Sequence, residues 1–197
     1  MKKSEQQRQN IIDVGRKLFA EKGYAGTSTR ELNEQAGIAE GLLYYYFPKG
    51  KRQLLDIIVH EGVTDRLRMA HERLEGWTSE NVENHVLDLF DGISSVIQED
   101  VGYQSFIITV RERALLSDEQ SAWLMASFDG VQEQIADVFL GISKDHDPAE
   151  VRTLSQTVMS IFVKMLFEDL LLHNHREISD ESRKRVAAQI HLVLRLL

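Results

Sequence analysis

The sequence predicts an all-α protein, and three observations carry that expectation. Helix-forming residues run through the chain with apolar positions three and four apart. No stretch alternates apolar and polar residues as a half-buried strand would. Only two prolines, Pro48 and Pro148, interrupt 197 residues. No repeat at a solenoid period is visible. With 43% hydrophobic residues, a chain of this length buries a real core.

Composition narrows the classes further. Cysteine is absent, so disulfides and thiolate zinc sites are excluded, and a reducing cytoplasm is the expected location. The start, MKKSEQQRQNIID, has lysines but no apolar segment of the kind a signal peptide carries. The most apolar run, IFVKMLFEDLLL at 161–172, is short for a membrane span and contains Lys164, Glu168 and Asp169, so no membrane partner is expected. Charge is uneven. Residues 1–52 hold ten Lys and Arg, Lys2 and Lys3 among them, against six Asp and Glu. The remainder holds 13 against 25, within a net charge of -8. A basic head on an acidic body directs the head toward a polyanion.

The first helix is expected over 4–22, where Ile11, Ile12, Gly15, Leu18 and Phe19 form one stripe and Gly23 stops it. YAGTST is a turn. Ser28 or Thr27 caps a second short helix, TRELNEQA, which Gly37 ends. A third is expected over 39–47. Two short helices joined by a glycine-bearing turn, behind a longer first helix, make a helix-turn-helix pattern.

The third helix has an unusual surface. Each residue advances about 100°, so with Leu43 at zero, Phe47 falls near 40°, Gly41 near 160° and Tyr45 near 200°. Leu43 and Phe47, with Ile38, face a core, while the opposite face sets a glycine beside a tyrosine, flanked by Leu42 and Tyr44. Glycine inside a helix costs about 1 kcal/mol. A surface that must approach a partner closely would account for both residues, since tyrosine hydroxyls donate to phosphate oxygens and the rings pack on thymine methyls. The competing reading packs all three tyrosines between helices. Pro48 ends the helix, and Lys49, Lys51 and Arg52 open a fourth. Cations there oppose the helix dipole, which points to an external anion, or else to a solvated basic turn.

These residues resemble the tetracycline-repressor (TetR) family of bacterial transcriptional regulators. The likeness runs from Ile11 to Leu55, through LFAEKGYAGTSTREL, then AGIAEGLLYYYF, then a lysine before LL. It implies a DNA-binding head, residues 1–50, on a helical effector-binding and dimerisation body, residues 51–197, paired through its last two helices. It implies that Ser28 and Thr29 hold the DNA backbone and that Arg30 reaches a base edge. Glu40, Gly41 and Leu42 match groove-facing positions. Tyr44 and Tyr45 match phosphate- and base-contacting ones, Tyr46 is the one to pack instead, and Lys51 grips a phosphate. Three departures stand out. The linker before Lys51 is one residue longer than the commonest form, which makes Lys49 the alternative. Asn33 replaces a usually small residue. Glu40 would repel phosphate; it could accept from cytosine N4 or stay solvated.

In the body, helices are expected at 51–75, 80–99, 103–116, 118–140, 148–173 and 180–197, with caps at Thr78 or Ser79, Ser117 and Asp147. TVMSIFVKMLFEDLLL is apolar on nearly every side. The final helix sets Val186, Ala187, Ile190, Leu194 and Leu197 on one stripe, widened by Val193. Leu166, Leu170, Val186, Ile190, Leu194 and Leu197 are therefore the expected homodimer interface, against the competing reading that they dock on their own body. A twofold pair of heads would meet a palindrome. An effector pocket belongs among the middle helices, with Phe90, Tyr103, Phe106, Trp123, Phe128, Phe162 and Met165 as candidate walls; ordinary core is the competing reading of each. Arg111, Glu112 and Arg113 read as a surface-facing charged pair, against the competing reading of a buried polar anchor.

Other chemistry is not expected. His173 and His175 in HNH would point about 200° apart on a helix. His71 in HER lacks the second histidine of a zinc-protease helix, and DHDP at 145–148 reads as a cap and loop. No catalytic grouping, metal site or cofactor is expected, and the protein does not read as an enzyme. The function expected is a homodimeric, sequence-specific regulator on double-stranded DNA, a repressor released from a palindromic operator by a small molecule. The alternatives are a DNA-binding regulator controlled by a protein partner instead, and a small helical enzyme.

Overall fold

The structure is a computed structural model. It describes residues 3–74, 76–143, 145–173 and 175–197, with the side chains of 65–72 set aside. Lys2 of the basic count, the expected helix end at Glu75, Lys144 in the 143–148 break, Asn174 of HNH and the side chain of His71 lie outside the described residues. Among the described residues every regular element is helical, as expected. None of these helices is long and apolar enough to cross a membrane.

The chain divides into two compact units, residues 1–65 with 99–121, and residues 66–98 with 122–197. Compactness thus groups the start of the fourth helix and a later segment with the head, a different division from a cut between residues 50 and 51.

The first unit begins with α1 (Lys3–Gly26), whose helical path breaks at Gly23, φ 80°. Ile11, Ile12, Leu18 and Phe19 are buried along it. α2 (Thr29–Gln35) starts where the Ser28 hydroxyl accepts from the Glu31 N–H at 3.1 Å. Thr27, the other candidate cap, is buried and donates to the carbonyls of Leu18 and Gly23. α3 (Leu42–Tyr46) has five residues, shorter than the nine expected, because the chain at Gly41 is still left-handed, φ 93°. α4 spans Lys51–Glu72. Leu32, Leu43, Phe47, Leu54, Leu55 and Ile58 complete the core, joined by Ile108 of α6 (Asp100–Arg111), which packs on α1.

α6 differs from the sequence expectation at both ends. It starts at Asp100 and stops at Arg111, and a 3₁₀ turn follows at Arg113–Leu115. Arg111 is exposed and Glu112 half-buried, yet both side chains engage the main chain of α1. The Arg111 guanidinium donates to the carbonyls of Phe19 and of Ala20 (3.0 Å), and the Glu112 carboxylate accepts from the Tyr24 N–H at 2.9 Å. Together they satisfy main-chain groups exposed where α1 breaks, an end that would otherwise carry orphaned carbonyls.

The second unit contains α5 (Val82–Gln98), most of α7 (Asp118–Ile142), α8 (Pro148–Leu166), a π-helical turn (Phe167–Leu172) and α9 (Asp180–Leu194). Asp147 caps α8 as expected, accepting from Ala149 N at 2.9 Å with Pro148 in the first turn. Ser179 does the same for α9. Phe90, Phe139, Phe162, Val158 and Ile135 form the core.

The apolar stripe of α9 is covered from within. Val186 and Ile190 are fully buried, and Leu194 and Leu197 pack on the same core, because α9 lies on α5 and α8 of its own chain. Leu166 and Leu170 are buried as well. Of the expected interface residues, Leu166, Leu170, Val186 and Ile190 are thus turned inward and Leu194 and Leu197 are half-buried, while Val163, Phe167, Leu172, Leu192 and Leu196 are among the apolar side chains left outside.

Phe90, Phe162 and Met165 are core, the two rings 5.2 Å apart between centroids. Trp123 is half-buried and Phe128 is exposed. Tyr103 and Phe106 are half-buried in the other compact unit. A cleft in the second unit is lined by Leu74, Trp77, Thr78, Val138 and Ile142, with Gly76, Ser79 and Gly141 at its edge.

Candidate nucleic-acid interface

α3 has two unlike sides. Leu43 and Phe47 are fully buried, which anchors the helix to the core of the head. Tyr45 is 74% exposed and Tyr44 54%. The 100° step that sends Leu43 inward sends Tyr45 outward. Tyr46 is half-buried, meets Tyr45 edge-on at 5.1 Å, and its hydroxyl accepts from Ser4 at 3.5 Å.

Two glycines set this surface. At Gly41 a Cβ would meet nothing within 4 Å, so space does not demand a glycine; the left-handed backbone does. Gly50 has φ 59°, and a Cβ there would lie 2.8 Å from Tyr44 Cε1. The Tyr44 ring therefore rests against bare backbone after Pro48, which fixes one of the two exposed rings.

The charged residues separate into outward and inward groups. Lys49 is exposed, and its N–H donates to Gln53 Oε1 at 3.1 Å, helping start α4. Glu40 is exposed and Leu42 half-buried. Arg30 is exposed and pairs one turn along α2 with Glu34 at 2.9 Å, a contact of the kind that water competes with easily. Ser28 is exposed beside it and Thr29 half-buried.

Lys51 is different. Its ammonium donates to the carbonyls of Tyr24 and Thr27, both at 2.7 Å, and stands 4.1 Å above the Tyr24 ring. Burial pulls its pKa below the usual lysine range, partly opposed by Glu112. The cation that opens α4 is thus engaged by the turn between α1 and α2. Arg52 likewise donates to the Leu115 carbonyl and pairs with Asp56 at 3.1 Å. Lys22 pairs with Glu31 and joins α1 to α2; the hydrogen bond it donates to the Glu31 carboxylate raises its pKa.

The surface so built presents two phenol rings on a short, glycine-flanked helix, one exposed lysine next in the chain, and the polar start of α2. It offers hydroxyls that donate and accept, a flat aromatic area and little bulk, which suits docking in a groove lined with acceptors.

Residues 11–58 match the family described as bacterial regulatory proteins, tetR family. Over 54 residues the chain is 39% identical to the HTH-type transcriptional regulator LmrA of Bacillus subtilis (strain 168), covering 27% of this chain and 29% of that protein's length. Over 174 residues it is 24% identical to the HTH-type transcriptional repressor AcnR of Corynebacterium diphtheriae, covering 81% of this chain and 80% of that one. Among solved structures it shares a fold with PfmR of Thermus thermophilus, a TetR family transcriptional regulator. The TM-score is 0.70 and the identity 20%, over 94% of this chain and 97% of that chain.

Proposed function

The chain belongs, through residues 11–58, to the tetR family of bacterial regulatory proteins, and from that premise we propose that it is a homodimeric transcriptional repressor that binds a palindromic operator and is released by a small molecule. One observation carries the DNA-binding part: the same five-residue helix buries Leu43 and exposes Tyr44 and Tyr45 beside the left-handed Gly41. In the proposed complex α3 enters the major groove, Tyr44 and Tyr45 contact phosphate and bases, and Glu40 and Leu42 line the entry. Ser28 and Thr29 meet the backbone at the start of α2, and Arg30 exchanges Glu34 for a base edge. Lys49 is the phosphate-contacting lysine. Lys51 acts one step removed, by holding the turn from which α2 starts.

Residues 51–197 would supply pairing and sensing. The exposed Val163 and Phe167, with Leu192 of α9 and Leu196 just beyond it, are the surface assigned to a second copy, in place of the buried stripe. An effector acts only if it binds one arrangement of the body better than the other. The regulator names of LmrA and AcnR support the reading of control over transcription, and the gamma-butyrolactone receptor, alike in fold at 18% identity and a TM-score of 0.59, supports a body that takes a small molecule.

The test is protection of the DNA flanking the chain's own coding sequence by the purified full-length protein, with affinity followed against salt. Binding that weakens with salt, and a slope that flattens by about one in Lys49→Ala, is expected. Absence of binding to any duplex in dilute salt, or an unchanged slope, overturns the assignment of this face.

A further inference from the structure

The end of α8 carries a cluster that the DNA-binding reading does not use. α8 leaves α-helical geometry at Phe167, and the π turn that follows closes where His173 N donates to Glu168 O, five residues back, at 2.9 Å. His175 N then donates to Asp169 O at 2.7 Å. Two histidines two positions apart diverge on a helix. Here the helix has ended, and the wrapped chain returns both rings to the same carboxylate, their centroids 5.5 Å apart.

The donor atoms of Asp169, His173 and His175 all lie within 4.8 Å of one another. His173 Nδ1 is 3.7 Å from Asp169 Oδ1. The Asp169 side chain is only 3% exposed, and its Oδ2 is buried without a hydrogen-bond partner among the described residues. A buried carboxylate oxygen with no donor costs free energy unless something outside the protein's own donors meets it. A cation does. Both histidines are exposed, so their rings can turn without disturbing the core. Ligands about 2.0–2.1 Å from a tetrahedral ion stand roughly 3.3 Å from each other, a small closure from the distances present.

We propose that Asp169, His173 and His175 form a binding site for a divalent transition-metal ion of the zinc class. Two imidazoles and one carboxylate suit zinc, cobalt(II) or nickel(II) rather than calcium or magnesium, which take oxygen ligands. Three protein donors leave a fourth position to water or an exchangeable ligand. π turns interrupt α-helices most often where a functional group must be re-aimed, and this one places the only buried member of the set, Asp169, under the two exposed ones.

The test uses the full-length protein stripped with chelator and titrated with Co²⁺, then Zn²⁺. One Co²⁺ per chain is expected, with a visible ligand-field band that Zn²⁺ bleaches, and Zn²⁺ raises the unfolding temperature in proportion to its concentration over its affinity. His173→Ala and His175→Ala each weaken binding at least roughly tenfold, while their metal-free unfolding temperatures stay within about 1 °C of the parent. No band at roughly 100 μM Co²⁺, or equal binding by the double histidine variant, overturns the proposal and leaves Asp169 and His173 as a plain ion pair. The histidines carry the test because Asp169→Asn alters a buried position.

Discussion

The two compact units handle their charged side chains in different ways. In the first, Lys51, Arg52 and Arg111 reach across the fold to main-chain carbonyls of Tyr24, Thr27, Leu115, Phe19 and Ala20. In the second, Arg176 donates to the Gln98 carbonyl at 3.2 Å, but Arg183, Arg152 and Lys164 meet carboxylates at the surface, and the interior is closed by Phe90, Phe139 and Phe162. A cation bonded to carbonyls near the ends of helices fixes the path of the backbone there. A surface ion pair fixes little. The first unit is thus built to hold a turn in place beneath the surface proposed to meet DNA, and the second to hold a volume.

The largest expected effect tests the second half of that contrast. Phe162→Ala removes a fully buried ring beside Phe90 and is expected to cost about 3–5 kcal/mol, read as a fall in the urea midpoint. A cost under about 1 kcal/mol would show that packing does not hold this unit. Next, Lys51→Met keeps most of the stem and removes two charge-assisted bonds, and should cost about 1–3 kcal/mol. Its effect on DNA binding should come without a change in salt slope, unlike that of Lys49→Ala. The smallest effect is expected of Arg183→Ala. It removes a two-toothed pair with Asp91 that is half exposed on both sides, and should cost below about 1 kcal/mol. Hydrogen bonding to Asp91 raises the Arg183 pKa, but an arginine is charged in both states at any ordinary pH, so no pH dependence follows. If Arg183→Ala proved as costly as Lys51→Met, the contrast between the units would fall.

How far the sequence reaches depends on how local the cause is. Leu43 inward and Tyr45 outward follow from a 100° step and need nothing beyond α3. The all-α fold and the Asp147 cap are equally local. Gly41 was legible as an oddity but not by its cause, since a left-handed φ is a property of the path and not of spacing. The role of Lys51 depends on carbonyls 24 and 27 residues away, and no pattern in the sequence points to them. Periodicity identified the stripe of Val186 and Ile190 as covered, yet the same spacing serves a neighbouring helix or a second subunit equally well. For His173 and His175, the helical angle was sound but the helix had already ended.

That ending has a consequence for how such a chain varies over time. A π turn holds one residue more than an α-helix of the same path. Loss of a single codon among 167, 168 and 170–172 would let the carbonyls re-pair at the shorter spacing and swing the following segment by about 100°. Both imidazoles would leave the carboxylate with every one of the three residues still encoded. Deletion, more readily than substitution, is the route by which this corner would be erased.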